Sequence, residues 1–325
     1  MVPIRNDTET LRLYPFPQEL IISRMAEVLQ CHNHEIDQII RYQLESTGKM
    51  MRPRLVFLTA SLAQHDPAVV RDVAVAVELI HIASLVHDDI IDRAMLRRGR
   101  ESLNHRFGNH ASVLTGDYFF ATAFHLINRH GRQDIMENIT ETIRIMCAGE
   151  IQQLSMTFNV NVTEEEYYQK TYGKTACLFS SACKVGALAS QLPEEVVCAL
   201  ESYGLNLGYA YQIIDDVLDF VSDSSLLGKP AASDLLEGNL TLPVIYALQQ
   251  EKYGPWIKTV LSKRRLTSRQ VERMIKVLIE SKAIEQSLKS AEQHIARART
   301  SLQHVPPGPV RMELENIAVY MMSEY

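Results

Sequence analysis

The sequence has little cysteine chemistry to offer. Its five cysteines, at positions 31, 147, 177, 183 and 198, are odd in number and form no C-x-x-C pair. That excludes a disulfide framework and a thiolate zinc site, and it suits a reducing compartment. Long apolar runs are missing as well: nothing approaches the roughly 18 uninterrupted apolar residues of a membrane span. The opening stretch, "MVPIRNDTETLRLYPFPQELI", has no basic segment leading into an apolar one, so no secretory signal is expected. Positive charge is scarce, with 33 Lys and Arg against 39 Asp and Glu. A net charge of −6 argues against a nucleic-acid binder and requires any bound anion to be held by locally placed cations. Alternating β-branched stretches are almost absent, and neither solenoid repeats nor low-complexity linkers occur.

What remains is helical periodicity. At 46% apolar and 22% charged residues the composition is that of a soluble globular protein. Turn signals such as "AQHDP" (63–67), "RRGRES" (97–102), "RHGRQD" (129–134), "LPEE" (192–195) and "HVPPGP" (304–309) cut the chain into helix-sized pieces. The expectation is an all-α protein, one domain over residues 1–325, with roughly ten or more helices. Its expected location is the cytoplasm, with membrane association at product release left open.

Two acidic turns interrupt otherwise apolar helices, expected over 72–95 and about 195–221. "VHDDIID" carries Asp88, Asp89 and Asp92; "YQIIDDVLDF" repeats the spacing further along the chain with Asp215, Asp216 and Asp219. Residues four apart share a helix face, whereas the middle aspartate sits about 100° round. Paired carboxylates near a helix C-terminus oppose the helix dipole and need cations or protonation. Magnesium favours one or two carboxylates, waters and substrate phosphates, so two facing acidic turns fit a diphosphate bridged through metal ions. The remaining phosphate charge calls for basic side chains. Lys49, Arg52, Arg97, Arg98, Lys174 and Lys229 stand beside turns, although each taken alone could be an ordinary surface charge.

Together "GKMMRP", "HDDIIDRAMLRRG", "GKT", "YQIIDDVLDF" and "GKPAASDLLEGNLTLP" have the order and spacing of the trans-prenyl diphosphate synthases, and the long-chain type is resembled most. The resemblance implies an isoprenoid-synthase bundle around a central apolar cavity. It implies condensation of isopentenyl diphosphate with an allylic diphosphate, farnesyl or similar. The product would be an all-trans polyprenyl diphosphate of hexaprenyl to octaprenyl size, serving quinone side chains. Lys49, Arg52, His81 and Arg98 would bind isopentenyl diphosphate; Arg97, Lys174, Thr175, Gln212 and Lys229 would hold the allylic diphosphate. Asp88, Asp92, Asp215 and Asp219 would ligate three magnesium ions bound with the diphosphate. The working form would be a homodimer or a heteromer with a small second component.

Short-chain relatives carry aromatics where this chain has Ala83 and Ser84, with Ile80 and Val77 as deeper candidates for setting chain length. Two departures stand out: Asn239, where many relatives have lysine, and "MMSEY" in place of a basic tail. The rivals are a terpene cyclase, a ferritin-like di-iron bundle and a non-catalytic regulatory subunit. The di-iron bundle needs two E-x-x-H turns, and only Glu78–His81 supplies one.

Overall fold

Apolar stripes and polar breaks fold into helices almost throughout, in a computed structural model that describes residues 16–31, 33–45, 48–221 and 232–323. Helices α1 (Gln18–Val28), α2 (His34–Leu44) and α3 (Met51–Ala60) precede the long α4 (Pro67–Ile91). A short hairpin follows, β1 (Leu96–Arg97) paired with β2 (Arg100–Glu101), then α5 (Leu103–Phe107), α6 (Asn109–Asn128) and α7 (Gln133–Met156). Helix α8 (Glu164–Thr171) passes through a π-helical turn over Tyr172–Ala176 into α9 (Cys177–Ala189), and α10 (Glu194–Val221) spans 28 residues. Beyond it lie α11 (Ser233–Glu237), α12 (Leu242–Leu248), α13 (Gly254–Leu261), α14 (Ser268–Glu280), α15 (Ala283–Ser301) and α16 (Pro309–Ser323). Among the described residues the hairpin is the one sheet, so the all-α expectation holds.

Helix α4 starts where local chemistry favours it. Asp66 accepts a hydrogen bond from the Ala68 N–H at 2.8 Å, and Pro67 occupies the first turn, where its missing N–H is harmless. The helix is apolar on nearly all sides, and α3, α6 and α9 pack around it. It stops at Asp92, and the left-handed Arg93 (φ 51°) turns the chain toward the hairpin. The hairpin loop has positive φ at both central residues, Arg98 (53°) and Gly99 (74°), which matches the right-handed twist of its strands. This turn brings two arginines back over the end of α4.

Helix α8 opens with a capping box: Glu166 N–H donates to Thr163 Oγ1 at 3.2 Å, and Thr163 N–H donates to Glu166 Oε2 at 2.8 Å. Where the π turn crosses α7 the backbones nearly touch. A Cβ on Gly173 would lie 2.9 Å from the Gly149 Cα, and one on Gly149 equally close to the Gly173 Cα. Only glycine at both positions permits this approach. At the other end of the chain, α16 is fixed by a buried ion pair from Arg54 to Glu313 and by Tyr203 Oη donating to the Leu314 carbonyl at 2.7 Å.

Candidate active site

The C-terminal ends of α4 and α10 open onto one cavity of about 570 Å³, whose walls include Asp88, Asp92, Asp215 and Lys174. Asp88 is half-buried, whereas Asp92 and Asp215 are exposed. Burial pushes the Asp88 carboxyl up to about 7, with Glu150 and Asp92 adding to the effect and Lys174 and Arg97 opposing it. These oxygen donors lie where two helix dipoles are negative, an arrangement that suits a hard divalent cation. Among the described residues no group of three His, Cys, Asp or Glu side chains stands ready to hold a metal by itself. A cation shared with phosphate oxygens needs no such group.

The middle aspartates are occupied. Asp89 is buried and receives the Arg97 Nε at 2.8 Å together with a second guanidinium nitrogen. Asp216 is buried and accepts from Tyr167 Oη at 2.6 Å and Gln212 Nε2 at 2.8 Å. Burial pushes Asp216 up to about 7, against the pull of Lys170 and these two donors. Asp219, fourth in its turn, accepts from the Ser233 hydroxyl (3.0 Å), the Ser233 N–H (3.2 Å) and the Asp234 N–H (3.3 Å). It thereby joins the end of α10 to the start of α11.

Lys174 projects from the π turn and pairs with Glu150 at 3.3 Å, a contact that the Gly149–Gly173 crossing allows. Burial opposes its charge, but Asp88, Glu150 and Asp92 together hold the ammonium above the ordinary lysine value. Thr175 and Gln212 line the same cavity and are tied together, the Thr175 hydroxyl donating to Gln212 Oε1 at 2.6 Å. The hydrogen-bonded chain Thr175, Gln212, Asp216, Tyr167 thus braces the second acidic turn against α8. Lys229 lies outside the described residues.

A second cavity of about 420 Å³ adjoins the first and holds Lys49, Arg52, His81 and Arg98. Arg52, His81, Arg98 and Tyr211 line both. Arg52 is 9% exposed, its guanidinium 4.5 Å from the centre of the Phe179 ring. Burial, reinforced by the neighbouring arginines, holds His81 well below the usual histidine value, so at neutral pH it presents one N–H without charge. Gly48 gives the Arg98 side chain its space: a Cβ there would lie 2.5 Å from a guanidinium nitrogen. Ile317, Tyr320 and Met321 of α16, side chains without charge, complete the wall.

The positions expected to govern chain length divide. Ser84 lines the larger cavity beside Leu85, Met146 and Leu178, its hydroxyl turned back onto the His81 carbonyl at 2.9 Å. Ala83, Ile80 and Val77 are fully buried and are not among the residues lining that cavity.

With this geometry in place, comparison with known proteins is direct. The polyprenyl synthetase family pattern matches residues 33–278. This chain belongs to the polyprenyl synthetase family. It is 37% identical over 278 residues to heptaprenyl diphosphate synthase component 2 of Bacillus subtilis, covering 86% of this chain and 79% of that one. Identity to the chloroplastic solanesyl diphosphate synthase 1 of Arabidopsis thaliana is 36%, over 84% of this chain and 68% of the relative. A polyprenyl synthase from Caulobacter crescentus, solved with calcium and isoprenyl diphosphate, superposes with a TM-score of 0.88 at 31% identity, covering 93% of both chains. The chain is accordingly a prenyl diphosphate synthase of the long-chain type, and no helix among the described residues is long and apolar enough to cross a membrane.

Sequence reasoning for this family member missed Glu150, Tyr167, Lys170 and Tyr211, all placed by the structure at or against the cavities. Spacing could have found Lys170, one turn before Lys174. The others are brought in by packing between distant elements.

Proposed function

We propose that this enzyme condenses isopentenyl diphosphate with farnesyl diphosphate or a similar allylic primer, with magnesium, to a product of hexaprenyl to octaprenyl size. The observation that carries the reading is the adjoining pair of cavities: one with both cations and carboxylates, the other with cations around a single buried acid, Glu78, sharing Arg52, His81, Arg98 and Tyr211. Two diphosphates held side by side are what a condensation needs. A terpene cyclase takes a single diphosphate and has no use for the second cavity.

The roles follow from position. Asp88, Asp92 and Asp215 would hold magnesium, which supplies Lewis-acid help to the departing diphosphate. Lys174 and Arg97 carry positive charge to the same cavity and stabilise the negative charge that develops as the allylic bond ionises. Lys49, Arg52 and Arg98, with neutral His81 as a donor, orient the second diphosphate so that its double bond reaches the allylic cation. The proton lost after bond formation goes to the departing diphosphate, which ionisation has left beside the new bond. Apolar side chains such as Leu85, Met146 and Leu178 keep water from the cation and leave a route for the growing tail.

The test is to incubate the purified chain with farnesyl and isopentenyl diphosphates and magnesium and to size the products. Products in the hexaprenyl to octaprenyl range support the reading; release of a cyclic hydrocarbon instead contradicts it. Activity of the chain alone indicates a homodimer. Activity only on adding a small co-encoded protein indicates the two-component form that the name of the Bacillus relative suggests. Phenylalanine at Ser84 or at Ala83 tests the tail route. The ring of Ser84→Phe should enter the cavity and shorten the product, while Ala83→Phe does so only through the packed interior. Unchanged products from both active variants would move the tail to another wall.

A further inference from the structure

Lys170 is a buried cation for which the roles above give no use. It lies in the last turn of α8, four residues before Lys174, and both line the larger cavity. Only 7% of it is exposed, and an ammonium taken so far out of water needs compensation. Its hydrogen bond goes to a neutral partner, Asn239 Oδ1, at 2.6 Å. The Tyr167 ring lies 5.4 Å from Nζ. Burial holds the ammonium below the ordinary lysine value, Asp216 and Asp234 favour the charge, and Lys174 repels it. Both oxygens of Asp216 already accept other donors, from Tyr167 and Gln212. Of three ammonium donors, two therefore have no hydrogen-bond partner among the described residues, in the wall of a cavity already read as an anion site.

Asn239 is itself held in place. Its N–H donates to the Asp234 carbonyl at 2.8 Å, and the preceding left-handed Gly238 (φ 82°) accepts the Phe158 N–H on its carbonyl at 2.8 Å. The backbone that carries the Asn239 side chain is thus fixed before any ligand arrives, and the 2.6 Å hydrogen bond ties Lys170 to that side chain.

We infer that Lys170, oriented by Asn239, binds the allylic diphosphate as a second ammonium beside Lys174. This inference rests on the reading of the larger cavity as the allylic diphosphate site. The two side chains share one volume, since Nζ is 2.6 Å from the Asn239 oxygen, so a lysine at position 239 can deliver charge to the same place. A residue that merely neutralised Asp216 would act on the fold and not on the affinity for diphosphate.

The experiment is calorimetric titration of inorganic pyrophosphate with magnesium, together with KM values for farnesyl and isopentenyl diphosphates, in wild type, Lys170→Met, Lys170→Gln and the exchange variant Lys170→Met/Asn239→Lys. Loss of a charge-assisted contact should weaken pyrophosphate by about tenfold or more in both single variants. The farnesyl diphosphate KM should rise in step while that for isopentenyl diphosphate stays within about twofold, and the exchange variant should recover most of the loss. Unchanged pyrophosphate affinity in a folded Lys170→Gln protein would overturn the inference. So would an exchange variant that regains thermal stability without regaining affinity. If wild type itself binds no pyrophosphate with magnesium, the underlying reading fails instead.

Discussion

The two acidic turns carry the same spacing and end up in different employment. In both, the first aspartate faces the cavity and the second is buried against a partner. At the end of α4 that partner is a guanidinium, Arg97, so Asp89 sits in an ion pair. At the end of α10 the partners are a phenol and an amide, and Asp216 is pushed up to about 7. The third aspartate differs more: Asp92 is exposed at the helix end, whereas three donors from the start of α11 converge on Asp219. One turn therefore offers two carboxylates to a ligand. The other offers Asp215 and uses the rest to hold α8, α10 and α11 together.

The sharpest break in this comparison comes from the cavity-facing pair. Asp88→Ala and Asp215→Ala should each lower kcat by at least about 10²-fold, because each removes a carboxylate that would hold the magnesium assisting the departing diphosphate. The metal-free melting temperature should hold or rise for Asp88→Ala, since a carboxyl whose charged form burial disfavours is removed. Near-normal turnover in either variant would contradict the assignment. For the buried pair, Asp89→Asn and Asp216→Asn should cost activity less, on the order of 10- to 100-fold, acting through the orientation of their neighbours. Losses as large as those of Asp88→Ala would erase the distinction between facing and buried positions.

Stability against pH separates the turns further. Asp88 and Asp216 each lie near 7 in the folded protein, against 3.8 for the free side chain. Between those values the folded chain holds protons that the unfolded chain has released. Metal-free stability should therefore fall as pH rises from about 4 to about 7, by at most about 1.4 kcal/mol per unit for each group. Denaturant titrations across this range should show the slope, and Asp216→Asn should make it shallower. Magnesium with pyrophosphate should relieve the share of Asp88 and leave that of Asp216. The smallest effect concerns the third position: Ser233→Ala should lower stability by about 1 kcal/mol. Asp92→Asn should instead raise the magnesium concentration needed for half-maximal rate, with little change in melting temperature. A shared response of Asp92→Asn and Asp219→Asn to magnesium would make the two turns equivalent after all.

Local rules read well from the sequence, and inter-element choices did not. The acidic faces followed from i, i+4 spacing alone, and α4 and α10 lie close to their expected ranges. The start of α4 moves from 72 to Pro67 because Asp66 caps it, and its end moves from 95 to Ile91 because Arg93 turns left-handed into the hairpin. Of the two cavities, Lys49 lines the smaller and Lys174, Thr175 and Gln212 the larger, whereas Arg52, His81 and Arg98 line both. Which aspartate of each turn is locked could not be read, because the locks come from elsewhere: Arg97 from the hairpin, Tyr167 from α8, Ser233 from beyond α10. Glu150 reaches Lys174 only through the Gly149–Gly173 crossing, for which a single sequence gives no signal. Lys170 was visible by spacing, but a lysine on a helix is ordinarily a solvated charge, and only its burial against Asn239 shows otherwise.

In the proposed function the facing aspartates of the two turns serve one diphosphate as a unit, through magnesium. A double-mutant cycle tests it most directly: the affinity of inorganic pyrophosphate with magnesium for wild type, Asp88→Asn, Asp215→Asn and the double variant. If the turns share one ligand through bridging cations, each single change should abolish most of the magnesium-dependent affinity, and the double variant should be little worse than either. Losses that simply add, or an Asp215→Asn protein that binds like wild type, would mean that the two turns serve separate ligands.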